Sequence, residues 1–328
     1  MRILIDKYGR NIDYLRISVT DRCNLRCIYC IPQFGVLQTR EEDMLSTKEI
    51  VSFVKIASSH GVKKIKISGG EPLLRKDIVS LVSCIKEIDS IMDISMTTNG
   101  VLIKKFASEL KKAGLNSLNI SLDSLCSHKY KEITKNGELK DVLAGIETAM
   151  ELGFPHVKVN TVIIRDINFN ELLDFVNFSI QTGITVKFIE YMPTKNSLDG
   201  YAKKFVSADE MRIFCNEAYS LLPTVLDGNG PAKYYVIPGT KGTIGFISPL
   251  SCKFCSDCNR IRLTSDGRLL SCLYAQEWVD IKNSLRKGPD VDEVTKLLFR
   301  AIVSKPASHS LLVEDKQMDY CSMMRIGG

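Results

Sequence analysis

With 328 residues, 45% of them hydrophobic and 25% charged, the chain has room for about two globular domains and the apolar content for a large core, which excludes collagen-like, disordered and repeat-array classes. Its longest apolar stretch, residues 78–92, is cut by Lys86, Glu87 and Asp89 and falls short of the roughly 20 apolar residues a bilayer span requires. The charged start of the chain lacks a signal-peptide core, so a cytoplasmic protein with no membrane partner is expected, and the dispersed net charge of +6 suits an anionic small molecule rather than nucleic acid.

Six strands are predicted to begin near Leu15, Lys64, Asp93, Ser117, His156 and Ile184, spaced at roughly the thirty residues that a strand and its crossover helix occupy. Between the first two, Ser46 and Glu49 form a capping box ahead of a stripe of Ile50, Phe53, Val54 and Ala57 that stops at Gly61. Leu139, Leu143, Ile146 and Met150 predict a second stripe ending at Gly153. After Tyr191 come a loop with Pro193, Asn196 and Gly200 and a last helix over 207–222. Beyond it the composition turns to glycine and proline, and four cysteines follow in a hairpin-like context with Asp266-Gly267 as its turn. The expected architecture is α/β: a partial, six-stranded parallel β/α barrel over 1–224 and a smaller C-terminal domain over 225–328.

The strands differ from those of a closed eight-stranded barrel, whose interior is filled by bulky branched side chains. Alternation sets Leu15, Ile17 and Val19 against Arg16, Ser18 and Thr20, and Ile65 and Ile67 against Lys64, Lys66 and Ser68. Ile94 and Met96 oppose Ser95, Thr97 and Asn99; Leu118, Ile120 and Leu122 oppose Asn119 and Ser121; Val157 and Val159 oppose Lys158 and Asn160. With helices over the apolar face, Arg16, Lys66 and Lys158 point into a lumen that must hold something anionic and hydrated. A one-sided sheet whose polar face meets solvent is the alternative. The sixth strand, 184–190, alternates less cleanly and carries no such reading.

Eleven cysteines and no export signal argue for metal or redox chemistry over structural disulfides. Cys23, Cys27 and Cys30 stand in C-x3-C-x2-C spacing directly after the first strand, at the carboxyl end where barrel active sites lie. Three thiolates can hold three irons of a [4Fe–4S] cluster and leave the fourth open. A zinc knuckle lacking one ligand and three unrelated thiols are the alternatives, and no histidine stands nearby to complete tetrahedral zinc. The triad, with Tyr29 between its last two cysteines, resembles the signature of radical S-adenosylmethionine enzymes, as does Ser68-Gly69-Gly70-Glu71-Pro72 after the second strand. That resemblance implies that S-adenosylmethionine chelates the open iron and is cleaved by one electron to a 5′-deoxyadenosyl radical.

Cys255, Cys258 and Cys272 form a second set, again without histidine; a zinc ribbon completed by Cys252 is the alternative. Arg260 and Arg262, at alternate positions just after Cys258, share one strand face and make a clamp for phosphate or carboxylate. Together with the terminal Gly327-Gly328 and the 228–232 stretch, these features closely resemble the GTP 3′,8-cyclases of molybdenum cofactor biosynthesis over nearly the whole chain. The resemblance implies a lyase with two [4Fe–4S] clusters, the second held by Cys255, Cys258 and Cys272 and binding guanine, so that 225–328 is an auxiliary cluster and GTP-binding domain. It places GTP contacts on Arg16, Lys66, Thr97, Lys158 and Arg260-Ile261-Arg262, and S-adenosylmethionine contacts on Tyr29, Gly70, Ser121 and Met192. Cys23, Cys27, Cys30, Arg260 and Arg262 would carry the catalysis, in which hydrogen is abstracted at ribose C3′ and C3′ adds to guanine C8. The implied partners are GTP, an external one-electron reductant and the cyclic pyranopterin monophosphate synthase that takes the product, with a homodimer allowed.

A radical enzyme acting on a peptide has no use for the arginine clamp and diglycine end, and an electron carrier leaves 68–72 and the lumen cations unexplained. The diglycine itself reads as a free terminus, as the end of an activated carrier protein, or as a tail that approaches the substrate. His60, His128, His156 and His309 are expected as surface or local structural residues, and Cys84, Cys126, Cys215 and Cys321 as small hydrophobes in helices.

Overall fold

The computed structural model describes residues 3–30, 38–193, 200–226, 230–275, 277–286, 288, 290–309 and 323–327. The strands β1 (Tyr14–Ser18), β2 (Lys64–Ser68), β3 (Asp93–Thr98), β4 (Ser117–Ser121), β5 (His156–Ile163) and β6 (Thr185–Glu190) start within one residue of the positions the alternation predicts. They pair in parallel in chain order, and the connecting helices α1 (Thr47–Ser59), α2 (Ile78–Lys86), α3 (Ile103–Lys112), α4 (Ser127–Thr134), α5 (Leu139–Glu151) and α6 (Leu172–Thr182) bury their apolar sides against them.

The start of α1 is the expected capping box: Glu49 N donates to Ser46 Oγ while Ser46 N donates to Glu49 Oε2 at 2.7 Å. The α5 stripe is rotated from the expected one. Leu139, Val142, Gly145, Ile146 and Ala149 are buried, whereas Met150 is exposed. A Cβ on Gly145 would lie 2.6 Å from the Gly100 carbonyl oxygen and 3.1 Å from Ile103 Cβ, so α5 approaches its neighbours through small residues that a pattern of large apolar side chains underweights.

After β6 come α7 (Tyr201–Lys204) and α8 (Ala208–Ala218), the latter capped by Ser207. This helix stops short of residue 222 because the chain turns extended at Tyr219 and enters an edge strand, where Pro223 is tolerated. The remaining elements are β7 (Leu222–Thr224), β8 (Lys233–Val236), β9 (Thr243–Ile247), β10 (Arg260–Leu263), β11 (Arg268–Leu270), β12 (Val279–Asp280), α9 (Lys282–Arg286), α10 (Val291–Val303) and α11 (Met323–Ile326).

The C-terminal strands join the same sheet instead of forming one of their own. β9 pairs in parallel with β6 and β10 in parallel with β1, which widens the six-stranded parallel core to eight. Antiparallel β11-β12 and β8-β7 complete a 12-stranded sheet of order β12-β11-β10-β1-β2-β3-β4-β5-β6-β9-β8-β7. The β10–β11 hairpin turns where Asp266-Gly267 predicts, with Gly267 at φ +88°.

One face of this curved sheet is apolar. Leu15, Ile17, Ile65, Ile67, Ile94, Met96, Leu118, Ile120 and Val159 belong to a single core under the helices, joined by Val186 and Phe188 of β6. The opposite face lines a cavity of about 440 Å³. In β6, Lys187 and Ile189 face that cavity, and the apolar Ile189 is what blurs the strand's alternation.

Candidate active site

Arg16, Lys66, Thr97 and Lys158 all line the cavity, because they sit in phase on neighbouring strands: Arg16 is level with Lys66, and Lys66 with Ser95. Arg260 and Arg262 join them from β10, Arg262 level with Arg16. Ile261, named with these arginines, turns its side chain into the core opposite Leu15, as period-two alternation requires; only its main chain remains to meet a substrate.

Among the described residues the lining holds Arg16, Lys64, Lys66, Lys158, Lys187, Arg260, Arg262 and Lys305 against the single carboxylate of Asp93. Burial, then Lys187, Arg16 and Lys158, push the Lys66 ammonium well below the usual lysine range. Lys187 falls to about 7 through burial and then through Lys158 and Arg16, while its Nζ donates to Asn119 Oδ1 at 2.7 Å. Burial and the neighbouring arginines likewise hold Arg262 down. Such crowding is unfavourable until a polyanion supplies the missing charge. Thr97 Oγ1 and Asn160 Oδ1 are buried in the same wall without a hydrogen-bond partner, which leaves one donor and one acceptor for a ligand.

The first thiol set sits at the carboxyl end of β1. The glycine-rich stretch after β2 packs directly on the segment that leads into it: Gly70 N donates to Thr20 O and Glu71 N to Arg22 O, each at 2.7 Å. A Cβ on Gly70 would collide with the Arg22 carbonyl, so only glycine permits this approach. Glu71 is fully buried and accepts from Thr98 Oγ1 at 2.7 Å, Asn99 N at 2.7 Å and Leu73 N at 3.0 Å, and burial raises its carboxyl to about 7. Asn99 in turn reaches Asn24 Oδ1 at 2.8 Å and the Cys23 sulfur at 3.9 Å. Tyr29 donates to Asp123 Oδ2 at 2.5 Å, just past Ser121 at the end of β4. Met192 lines the cavity itself.

The donor chemistry fits a cluster. Burial and then its two neighbouring thiols and Asp123 push Cys27 well above the usual thiol range, and Cys30 rises to about 12 through burial, Cys23 and Asp123. Thiols that crowd one another in this way are held as thiolates by a strongly positive partner. Among the described residues no three His, Cys, Asp or Glu side chains converge as a single metal ion requires; thiolates of a cubane, each on its own iron, need no such convergence.

Cys255, Cys258 and Cys272 line the cavity. Arg260 pairs with Tyr14, the first residue of β1, so Cys258 lies at the amino end of the parallel strands while Cys23 follows their carboxyl end. A five-residue strand rising about 3.3 Å per residue therefore separates the two thiol sets by on the order of 16 Å. Burial raises the Cys258 thiol, but Arg260 and Lys305 outweigh it and bring it to about 7; Arg260 Nη2 is 3.5 Å from the sulfur. This set too is suited to iron. Cys252 is exposed, lies outside the cavity lining and has Lys233 Nζ 3.9 Å from its sulfur.

The tail enters the site. Arg262 Nη1 donates to Gly327 O at 2.7 Å, and Gly327, at φ +67°, is packed so tightly that a Cβ would collide with Ser68 Oγ. Gly328, Cys321, Asn196 and 227–229 lie outside the described residues.

His156, exposed at the start of β5, and His309, whose Nε2 lies 2.9 Å from Pro249 O, are the surface and local structural residues expected, and both border the cavity. One expectation about secondary residues is corrected. Cys126 is exposed at the amino end of α4, where the helix has not yet turned it inward, whereas Cys215 is buried in α8. Lys187 was missed because no reading was drawn from β6, although its phase opposite Val186 and Phe188 would have found it. Lys305 and His309 had no local signal, because neither sits in a strand.

The parallel sheet, the three-thiol loop after its first strand and the glycine-rich loop beside it define a radical S-adenosylmethionine enzyme. Residues 17–179 match the Radical SAM superfamily and 184–311 match Molybdenum Cofactor Synthesis C. In fold the chain is similar to Streptococcus suis SuiB bound to S-adenosylmethionine, with TM-score 0.64 at 18% identity, covering 87% of this chain and 66% of that one. Its sequence is 47% identical over 327 residues to the GTP 3′,8-cyclase of Desulforamulus reducens, covering 99% of this chain and 100% of the relative. It is 43% identical to that of Alkaliphilus metalliredigens, covering 98% and 99%. The chain belongs to the GTP 3′,8-cyclase family.

Proposed function

We propose that the cation-lined cavity holds GTP between two [4Fe–4S] clusters and that the chain converts it to (8S)-3′,8-cyclo-7,8-dihydroguanosine 5′-triphosphate, the first step of molybdopterin cofactor biosynthesis. The observation that carries this reading is the placement of eight lysines and arginines on the described lining of one cavity, with Cys255, Cys258 and Cys272 on that lining and Cys23 in the loop past the opposite, carboxyl end of the strands. Cys23, Cys27 and Cys30 hold the first cluster, and Cys255, Cys258 and Cys272 the second. When bound, the first cluster and S-adenosylmethionine supply the 5′-deoxyadenosyl radical that takes the ribose C3′ hydrogen, after which C3′ joins guanine C8.

Tyr29, Gly70, Ser121 and Met192 orient the cofactor. Arg16, Lys66, Lys158, Arg260 and Arg262 neutralise the triphosphate and fix the ribose, Thr97 offers its hydroxyl, and Ile261 contributes through its main chain. Residues 1–224 carry the cofactor half of the site and 225–328 the guanine half. The reaction takes two electrons, one at a time, and a proton: one electron to cleave S-adenosylmethionine and the second, with the proton, to quench the radical left after C3′ joins C8, both from an external one-electron reductant. The product passes to cyclic pyranopterin monophosphate synthase; the enzyme works in the cytoplasm and can form a homodimer. Among the described residues no helix is long and apolar enough to cross a membrane.

The test is anaerobic incubation of reconstituted protein with GTP, S-adenosylmethionine and a reductant, followed by mass analysis. An isomer of GTP formed together with 5′-deoxyadenosine is expected. Cofactor cleavage with GTP recovered unchanged overturns the reading.

A further inference from the structure

The segment after α10 touches every strand or loop that carries the second thiol set. Lys305 is 2% exposed, and its Nζ donates to Arg260 O at 2.8 Å and to Ser271 O at 2.6 Å. Those carbonyls lie two residues past Cys258 and immediately before Cys272. The next two residues are tied to the third thiol through Arg10, which donates to Pro306 O at 2.6 Å, Ala307 O at 3.1 Å and Cys255 O at 2.7 Å while paired with Asp6 at 2.5 Å. Residues 305–307 thus join three chain segments that are distant in sequence.

We infer that Lys305 is a positioning residue for the metal centre held by Cys255, Cys258 and Cys272, and that its buried ammonium raises that centre's reduction potential. The inference rests on the proposed assignment of those cysteines. Two of the three ammonium protons are taken by main-chain carbonyls, so Lys305 is not free to swing out to a triphosphate. It shares the cavity lining with Cys258 and Cys272; burial lowers its ammonium, and the two sulfurs oppose that fall. Adding an electron makes a cluster more negative, and a fixed cation in a water-poor wall stabilises the reduced state over the oxidised one. Arg260 is also positive and near Cys258, but it stacks on Phe254 with 4.8 Å between guanidinium and ring centre and shares its charge with whatever fills the cavity.

The test uses the full chain with Cys23, Cys27 and Cys30 replaced by Ala, so that about four irons remain. In that background Cys258→Ala must remove the remaining iron; retention means that the cysteine assignment fails, and the lysine proposal with it. Lys305→Gln, which keeps a hydrogen-bond donor and loses the charge, is expected to retain iron and to lower the midpoint potential in an anaerobic titration followed by electron paramagnetic resonance. The expected shift is about 59 mV, tenfold in the one-electron equilibrium. Lys305→Arg restores the potential. An unchanged potential in the Gln variant overturns the proposal, as does an Arg variant that matches Gln. Should Lys305→Gln not accumulate as folded protein, Lys305→Arg decides alone: wild-type potential with full iron supports the charge role, and a comparable fall overturns it.

Discussion

Arg262 and Gly327 are joined by a 2.7 Å hydrogen bond from guanidinium to carbonyl, so the tail of the chain is fastened to a cation that also lines the cavity. Because Gly327 has φ +67° and no room for a Cβ beside Ser68, Gly327→Ala costs about 1–3 kcal/mol in the docked tail. Tail docking falls roughly tenfold or more. Turnover is expected to drop at least as much while iron content and the circular dichroism spectrum stay those of the wild type; steady-state kinetics on the purified variant checks this.

Cys27→Ala is expected to cut iron from about eight to about four per chain and to abolish S-adenosylmethionine cleavage. The check is an anaerobic iron and sulfide count beside a chromatographic assay for 5′-deoxyadenosine. Cleavage at the wild-type rate would overturn the assignment of the first thiol set.

Lys66 is crowded by Lys187, Arg16 and Lys158 on the cavity wall, so removing its charge relieves the empty protein. Lys66→Met is expected to raise the melting temperature without GTP by about 2 °C, as a gain near 1 kcal/mol would, and to raise the KM for GTP about tenfold or more. Calorimetry and kinetics together separate this from a folding defect, which would lower both melting temperature and turnover.

Burial, then Lys158 and Arg16, push the Lys187 ammonium down to about 7 from its ordinary 10.5. Its depressed value means that the unfolded chain binds more protons between those limits, so this lysine opposes folding fully below pH 7 and the penalty fades as pH rises toward 10.5. A bound triphosphate restores the charged form. GTP binding at pH 8 is therefore expected to take up protons, with the uptake vanishing below about pH 6. Titration calorimetry in buffers of different ionisation enthalpy measures it, and pH-independent proton exchange would contradict it.

The cysteine loop, the glycine-rich loop and the polar strand faces were legible because each is a local pattern: fixed spacing in the first two, period-two alternation in the third. Where a wall residue broke the pattern, as Ile189 does in β6, Lys187 was lost to view although it projects into the same space. The α5 stripe failed for a related reason, since Gly145 and Ala149 make the close helix contact but weigh little in an apolar count.

The linear chain therefore determined the two cysteine spacings and which face of each parallel strand carries charge, since spacing and alternation follow from sequence position and backbone geometry alone. It did not determine that β9 and β10 join opposite edges of the parallel core, that the two thiol sets stand at opposite ends of the parallel strands, or that Lys305 and Arg10 gather around the second set while Gly327 docks on Arg262. Those depend on pairings between residues up to some 300 positions apart, such as Arg10 with Pro306, which are set by the hydrogen-bonding of sheet edges and buried carbonyls and leave no periodic trace in the sequence.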